Sequence, residues 1–283
     1  MLPFLQNTQP TLHNLYSVGR LVGALRQVTF EKQPNFLHLG MKIVRDGVST
    51  DVLPNGGEVT LDMREVALVY QPAQGAAQRI ALEGQTQAAL LEKLLETIYA
   101  QELAGMFPYA ADETYTEALF KAAGSRPNYG NPSREHTTSR EPLHFDDEIA
   151  YHYRDALYSI FTSMARFRAR LNGAMTPLVV WPEHFDISFI WFAGDADESH
   201  PHLNFGFAPY SAGIDEPYLY AYAYPYPARF EPPMLPEGAR WHTEGWTGVV
   251  LPYAEIAQRA EGEASVEASY TAIYRALRPL ITP

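Results

Sequence analysis

Residues 216–227 read Glu-Pro-Tyr-Leu-Tyr-Ala-Tyr-Ala-Tyr-Pro-Tyr-Pro, which places Tyr218, Tyr220, Tyr222, Tyr224 and Tyr226 on every second position. Strand side chains alternate between the two faces, so this spacing predicts a ladder of phenols on one face and Leu219, Ala221 and Ala223 on the other. Rigid rings with polar tips serve equally as half of a packed core or as the wall of a hydrated cleft. Proline at 225 and 227 ends regular pairing, so Tyr224 and Tyr226 are expected to contribute less than the rings before them.

Around this strand, periodicity predicts others near 178–181, 185–192, 203–209 and 247–251. Helices are predicted over 146–172 (Ile149, Tyr153, Leu157, Ile160, Met164, Phe167, Leu171) and 263–281 (Val266, Tyr270, Ile273, Leu277, Leu280). The first half reads in the same order. A helix at 11–29 (Leu12, Leu15, Val18, Val22, Leu25) precedes alternating stretches at 37–44, 48–53, 58–70 and 79–83, and a helix at 85–101 (Leu90, Leu91, Leu94, Leu95, Ile98) follows. Hairpin-length connections imply antiparallel pairing, because parallel strands need crossovers. The expected class is α+β, a mainly antiparallel sheet with helices packed on one side, arranged as two similar α-β(4)-α halves. LYSV at 15–18 against LYSI at 157–160, and HLGMKI at 38–43 against HFDISF at 184–189, recur at nearly the same separation and suggest internal duplication. The halves are expected at 1–123 and 143–283. Between them, 124–142 is rich in Gly, Pro, Ser, Asn and Thr and reads as a linker, or as a lid carrying Arg126, Arg134 and Arg140.

With 46% hydrophobic and 19% charged residues, the composition is that of a soluble globular protein. Of the net charge of −12, residues 143–283 carry −9, with 18 acidic against 9 basic side chains, and all four lysines lie earlier. Such a surface repels phosphate at long range, which argues against nucleic acid and anionic membranes as partners. Absence of cysteine removes disulfides, thiolate nucleophiles and cysteine metal sites. No apolar run approaches the length of a membrane span, and the first residues lack a secretory pattern, so a cytoplasmic location is expected. The chain contains no GxSxG, Walker or GxGxxG motif.

The later half holds Thr176-Pro177, then Trp-Pro-Glu-His-Phe-Asp at 181–186, Gly206-Phe207, the Pro217–Pro225 strand, LPYAEIAQRA at 251–260 and SYTAIY within the last helix. In these features it resembles an uncharacterised bacterial family known only as a domain of unknown function. The resemblance implies no activity, so chemistry is argued from the residues.

His184 and Asp186, two apart at an expected strand start, would share a face with Cα atoms roughly 6–7 Å apart. Phe185, Ile187, Phe189 and Trp191 would take the other. Such a pair suits a metal, or an imidazole oriented by a carboxylate, and equally a turn in which Asp186 bonds backbone donors. A hairpin of 185–192 with 203–209 puts His200 and His202 roughly 20–25 Å from His184. The next antiparallel strand returns Tyr210, Asp215, Glu216 and Tyr218 toward His184. Asn204, Gly206 and Ala208 would share the polar face of His184, Asp186 and Ser188, leaving room for the tyrosines in a groove; the alternative packs them beside Phe205 and Phe207. His144, Glu148 and His152 read as structural, with Asp146 as helix N-cap. Trp241 and Trp246 suit stacking on a ligand or fastening a loop.

Two function classes follow. One is small-molecule or peptide binding in a groove lined by Tyr210, Tyr218, Tyr220 and Tyr222, with no cofactor. The other is a metal-assisted, hydrolase-like enzyme using a divalent metal, with His184, Asp186, Glu216 and Tyr218 as candidate catalytic residues and His184 and Asp186 as candidate ligands.

Overall fold

The computed structural model describes residues 2–99, 141–226 and 232–281. Nearly all of the expected 124–142 linker, including its three arginines, lies outside them. The chain is α+β, with two antiparallel sheets of five and six strands and five α-helices among the described residues. None of these helices is long and apolar enough to cross a membrane. Two compact units divide it: Asn7–Arg154 with Val180–Phe185, and Met1–Gln6 with Asp155–Val179 and Asp186–Pro283.

In the first unit, α1 (Gln9–Thr29) begins with Pro10 in its first turn, where a missing N–H costs nothing. Leu12, Leu15, Val18, Val22 and Leu25 are fully buried. Strands β1 (Lys42–Val44), β2 (Gly47–Ser49), β3 (Glu58–Asp62), β4 (Ala67–Gln71) and β5 (Gln78–Ala81) form a meander in sequence order. Helix α1 packs on β3, and α2 (Gln87–Tyr99) packs on β4 and β5 through a stripe that includes Leu90, Leu94 and Ile98. The expected strand 58–70 is two strands. Asp62 Oδ1 accepts from the N–H groups of Arg64 and Glu65 at 2.9 Å, and Val66 is left-handed, so the chain turns there.

The Trp181–Asp186 motif finds its packing role in this unit. Gly19 and Gly23, four apart on α1, form a notch. A Cβ at Gly19 would lie 2.5 Å from Phe185 Cε2, and one at Gly23 would lie 2.1 Å from Pro182 Cβ. Phe185 stacks on Tyr153 with ring centroids 6.2 Å apart and meets Tyr16 edge-on at 6.3 Å. The Tyr16 hydroxyl donates to the Glu183 carbonyl at 2.9 Å, which fixes the turn on the helix.

Helix α3 (Asp147–Arg168) contains the boundary between the units and is capped by Asp146, whose Oδ1 accepts from the N–H groups of Glu148 and Ile149 at 3.0 Å. The six-stranded sheet comprises β6 (Val179–Trp181), β7 (Asp186–Phe192), β8 (His202–Ala208), β9 (Tyr218–Tyr224), β10 (Arg240–His242) and β11 (Gly248–Pro252), in the order β6-β7-β8-β9-β11-β10. Both sheets begin as meanders, an order any series of hairpins produces, and they differ at the edge where β11 precedes β10. In the second unit, α4 (Tyr253–Ala257) and α5 (Gly262–Leu277) pack on the sheet. Beneath them Phe167 meets Phe205 at 5.2 Å and stacks on Tyr270 at 5.5 Å, while Phe189 stacks on Phe205 at 5.5 Å. The fully buried Tyr270 hydroxyl donates to the Gly206 carbonyl at 2.8 Å, so the ring enters the core without an orphaned polar group.

Gly23→Ala tests the notch, because two effects oppose. Alanine favours an isolated helix by about 1 kcal/mol, while overpacking against Pro182 costs about 1–3 kcal/mol. The expected outcome in urea unfolding is a net loss of stability; a gain would show that the notch has slack.

Candidate functional site

Register places the tyrosine ladder. Tyr218, Tyr220 and Tyr222 pair across β8 with Ala208, Gly206 and Asn204, and Ser188 on β7 pairs with Gly206. Directly paired residues share a face, so Asp186, Ser188, Asn204 and the tyrosines lie opposite Phe189, Phe205, Phe207 and Leu219. Gly206 makes the arrangement possible: a Cβ there would stand 2.3 Å from Tyr220 Cζ.

This face is largely covered. Ala208, Ile214, Tyr218, Tyr220 and Val250 form a second small core, with Tyr222 and Trp246 packed against it. Tyr220 and Tyr222 stack with centroids 6.3 Å apart, and Trp246 meets them edge-on at 6.1 and 6.3 Å. Exposure rises along the ladder, from 4% at Tyr218 and 8% at Tyr220 through half-buried Tyr222 to 44% at Tyr224.

The phenols of Tyr218, Tyr220 and Tyr222 each have a defined partner. Tyr220 donates to Asp186 Oδ2 in a short hydrogen bond, and the Tyr218 hydroxyl donates to Ser211 Oγ at 2.8 Å. Asn204 Nδ2 donates to the Tyr222 hydroxyl oxygen at 2.9 Å. Burial pushes Tyr220 well above the ordinary phenol value, and the adjacent Asp186 carboxylate pushes the same way. Tyr218 and Tyr222 are pushed up to about 12, by burial first; Asp186 adds to both, and Glu198 adds at Tyr222. All three therefore stay protonated near neutrality. His202, at the far end of β7–β8, donates from Nδ1 to the His200 carbonyl at 2.8 Å and stacks on Tyr224 at 5.1 Å. Burial lowers its pKa, so the ring is neutral at pH 7.

The sequence-derived candidates separate. Tyr210, Tyr218, Tyr220 and Asp186 are buried, and Glu216 is exposed in the bend before β9. His184 lies in the turn that precedes β7 and belongs to the first unit. Strand β7 starts only at Asp186, and Phe185 between them has a left-handed φ of 56°. The alternation on which a shared His184–Asp186 face depends does not reach His184. Asp186 faces Tyr220 instead. Of the residues set aside as structural, His144 Nδ1 lies 2.7 Å from Glu83 Oε1, and the Phe145 N–H donates to the other carboxylate oxygen at 2.9 Å. Among the described residues no group of three or more His, Cys, Asp or Glu is placed to hold a metal ion. Sequence reasoning passed over Ser211, Ile214 and Glu198, which sit in loops where no periodicity marks a facing direction.

Two outcomes follow. Tyr220→Phe keeps the ring over Gly206 but removes the hydroxyl that donates to the buried Asp186 carboxylate, so it should cost about 1–3 kcal/mol in urea unfolding. Tyr224→Ala, at the exposed end, should cost under about 0.5 kcal/mol. The raised phenol values also fix a pH dependence. Above the unfolded value of 10 the unfolded chain releases protons that the native chain keeps until about 12. The contribution of Tyr218 and Tyr222 is thus fully present below pH 10 and is lost as pH rises from 10 to 12. Unfolding midpoints across that range, with phenolate absorbance followed in parallel, check it.

No curated protein and no solved structure matches the chain. The sequence profile described as "Family of unknown function (DUF5996)" matches residues 2–280, nearly all of it. The chain belongs to that family.

Proposed function

We propose that the tyrosine face of the second sheet is a binding wall for a small organic molecule or a short peptide segment, entered at the end where Tyr222, Tyr224 and Trp246 reach solvent. The observation that carries this reading is the graded exposure of a continuous stack. Its buried end is locked by the Asp186 and Ser211 hydrogen bonds, and its open end presents partly exposed rings. Aromatic surface with a few fixed polar groups is what small-molecule sites usually offer. Tyr218, Tyr220 and Tyr210 act in this reading as the support of the wall, while Tyr222 supplies contact. The metal-assisted alternative gains no ligand set from the described residues.

A ligand-observed NMR screen of fragments of varied charge tests the proposal. Fragment binding should weaken at least tenfold in Tyr222→Ala while the unfolding midpoint moves less than in Phe205→Ala, for which a loss of about 3–5 kcal/mol is expected. Absence of any binder, or binders indifferent to Tyr222, would remove this function.

A further inference from the structure

Asn-Gly occurs twice in the chain, at Asn55-Gly56 and at Asn172-Gly173. Asparagine is a labile residue, and a following glycine leaves the next main-chain nitrogen unshielded and free to attack the carboxamide. The fold treats the two sites in opposite ways. Asn55 is half-buried, its Nδ2 donates to the Tyr70 hydroxyl at 2.8 Å, and its Oδ1 accepts from the Gly57 N–H at 3.0 Å. The Gly56 N–H donates to the Leu53 carbonyl at 2.8 Å. Carboxamide and nitrogen are both tied down, and bringing them together would break these bonds.

Asn172 and Gly173 are exposed, in the loop that follows α3, and Gly173 has a left-handed φ of 112°. Among the described residues neither the Asn172 carboxamide nor the Gly173 N–H makes a hydrogen bond. Their neighbours are anchored: the Leu171 N–H donates to the Arg168 carbonyl at 3.1 Å, and the Ala174 carbonyl accepts the Phe192 N–H at 3.0 Å. Trp191 favours attack. Its indole N–H donates to the Asn172 carbonyl oxygen at 2.8 Å. That oxygen belongs to the peptide unit whose nitrogen, on Gly173, must lose its proton to react, and it shares the negative charge that results. A donor already fixed there stabilises the charge where it develops.

We propose that Asn172 is a site of spontaneous modification, converted by the Gly173 nitrogen to a succinimide and from there to aspartate and isoaspartate. The nitrogen gives up its proton and bonds to Asn172 Cγ, the Cγ–Nδ2 bond breaks, and the departing nitrogen takes up a proton and leaves as ammonia. Water then opens the ring. Cleavage between Cγ and the ring nitrogen gives aspartate. Cleavage between the main-chain carbonyl carbon and that nitrogen gives isoaspartate, in which the oxygen that accepts from Trp191 becomes part of a free α-carboxylate and the main chain is longer by one methylene. Either product adds a negative charge to the loop. This chemistry is independent of any ligand on the tyrosine face.

Incubation of the full chain at neutral pH in isotopically labelled water, followed by peptide mapping with mass spectrometry, measures conversion at both sites; methyl transfer by an isoaspartyl methyltransferase counts the isoaspartate. The hydrogen bonds on Asn55 and Gly56 must break before reaction, so Asn172 should convert about a hundredfold faster than Asn55 in the folded chain. In urea that protection is lost, and the two rates should converge. Asn172→Gln should remove the label from its peptide. Trp191→Phe separates two roles, because a looser loop would speed the reaction whereas loss of the indole donor slows it. A slower rate at Asn172 is expected in this variant, with thermal melts establishing that it is folded; an equal or faster rate removes Trp191 from the mechanism. The comparison of the two sites uses the unaltered chain and stands without the variant. Equal conversion of Asn172 and Asn55 in the folded chain, or conversion of Asn172 in urea alone, overturns the proposal.

Discussion

Gly206 is the position on which both faces of the second sheet depend. On one side the Tyr220 ring lies across its α-carbon, closer than any side chain would allow. On the other, its carbonyl accepts the hydroxyl of fully buried Tyr270. A single residue without a side chain lets one aromatic ring close onto the sheet and supplies a second ring with the acceptor it needs to be buried. The phenylalanine core beneath and the tyrosine stack above are thereby tied to one point on β8. Strands β7 and β8 are buried at every residue as a result, although their sequences alternate between apolar and polar.

The polar face of a half-buried sheet normally meets water. Here it meets Ile214, Trp246 and the loops that carry them, so each polar group on it must find a partner inside the protein. Asp186 accepts the hydroxyl of Tyr220, and Ser211 Oγ accepts that of Tyr218. The phenols pushed up by burial remain protonated over the ordinary pH range. Toward Tyr224 the cover ends, and rigid, supported surface gives way to rings that reach solvent.

Regular structure was legible because periodicity reports which way side chains face. The strand through Tyr218–Tyr224 and the four longer helices fall within a few residues of their sequence-derived limits, and the polar and apolar faces of β7 and β8 were assigned by counting twos. What escaped lies where counting fails. Left-handed Phe185 breaks the phase between His184 and Asp186, and left-handed Val66 breaks the strand read over 58–70. Strand β10 is three residues long, too short to show a period, and its place at the sheet edge beyond β11 has no local signal. In the Trp181–Asp186 motif the eye goes to the titratable pair. Its backbone turn and its two apolar residues, Pro182 and Phe185, are what the glycine notch of α1 receives. The cover over the tyrosine face comes from loops and was invisible for the same reason: a loop residue's direction is set by tertiary contacts alone.

The placement of Pro182 and Phe185 against α1 has a consequence for synthesis. The first unit is not finished when its sheet and helices have emerged from the ribosome, because Val180–Phe185 completes it more than eighty residues after α2 ends. Until then the glycine faces of α1 have no occupant. The second unit waits longer still on its earliest segment: the Pro3 carbonyl accepts the Tyr253 hydroxyl, and Leu2 lies against Gly262. Both units are thus closed by contacts between distant parts of the chain, a topology that slows folding and prolongs exposure of apolar surface. No single cut in the sequence would release either unit whole.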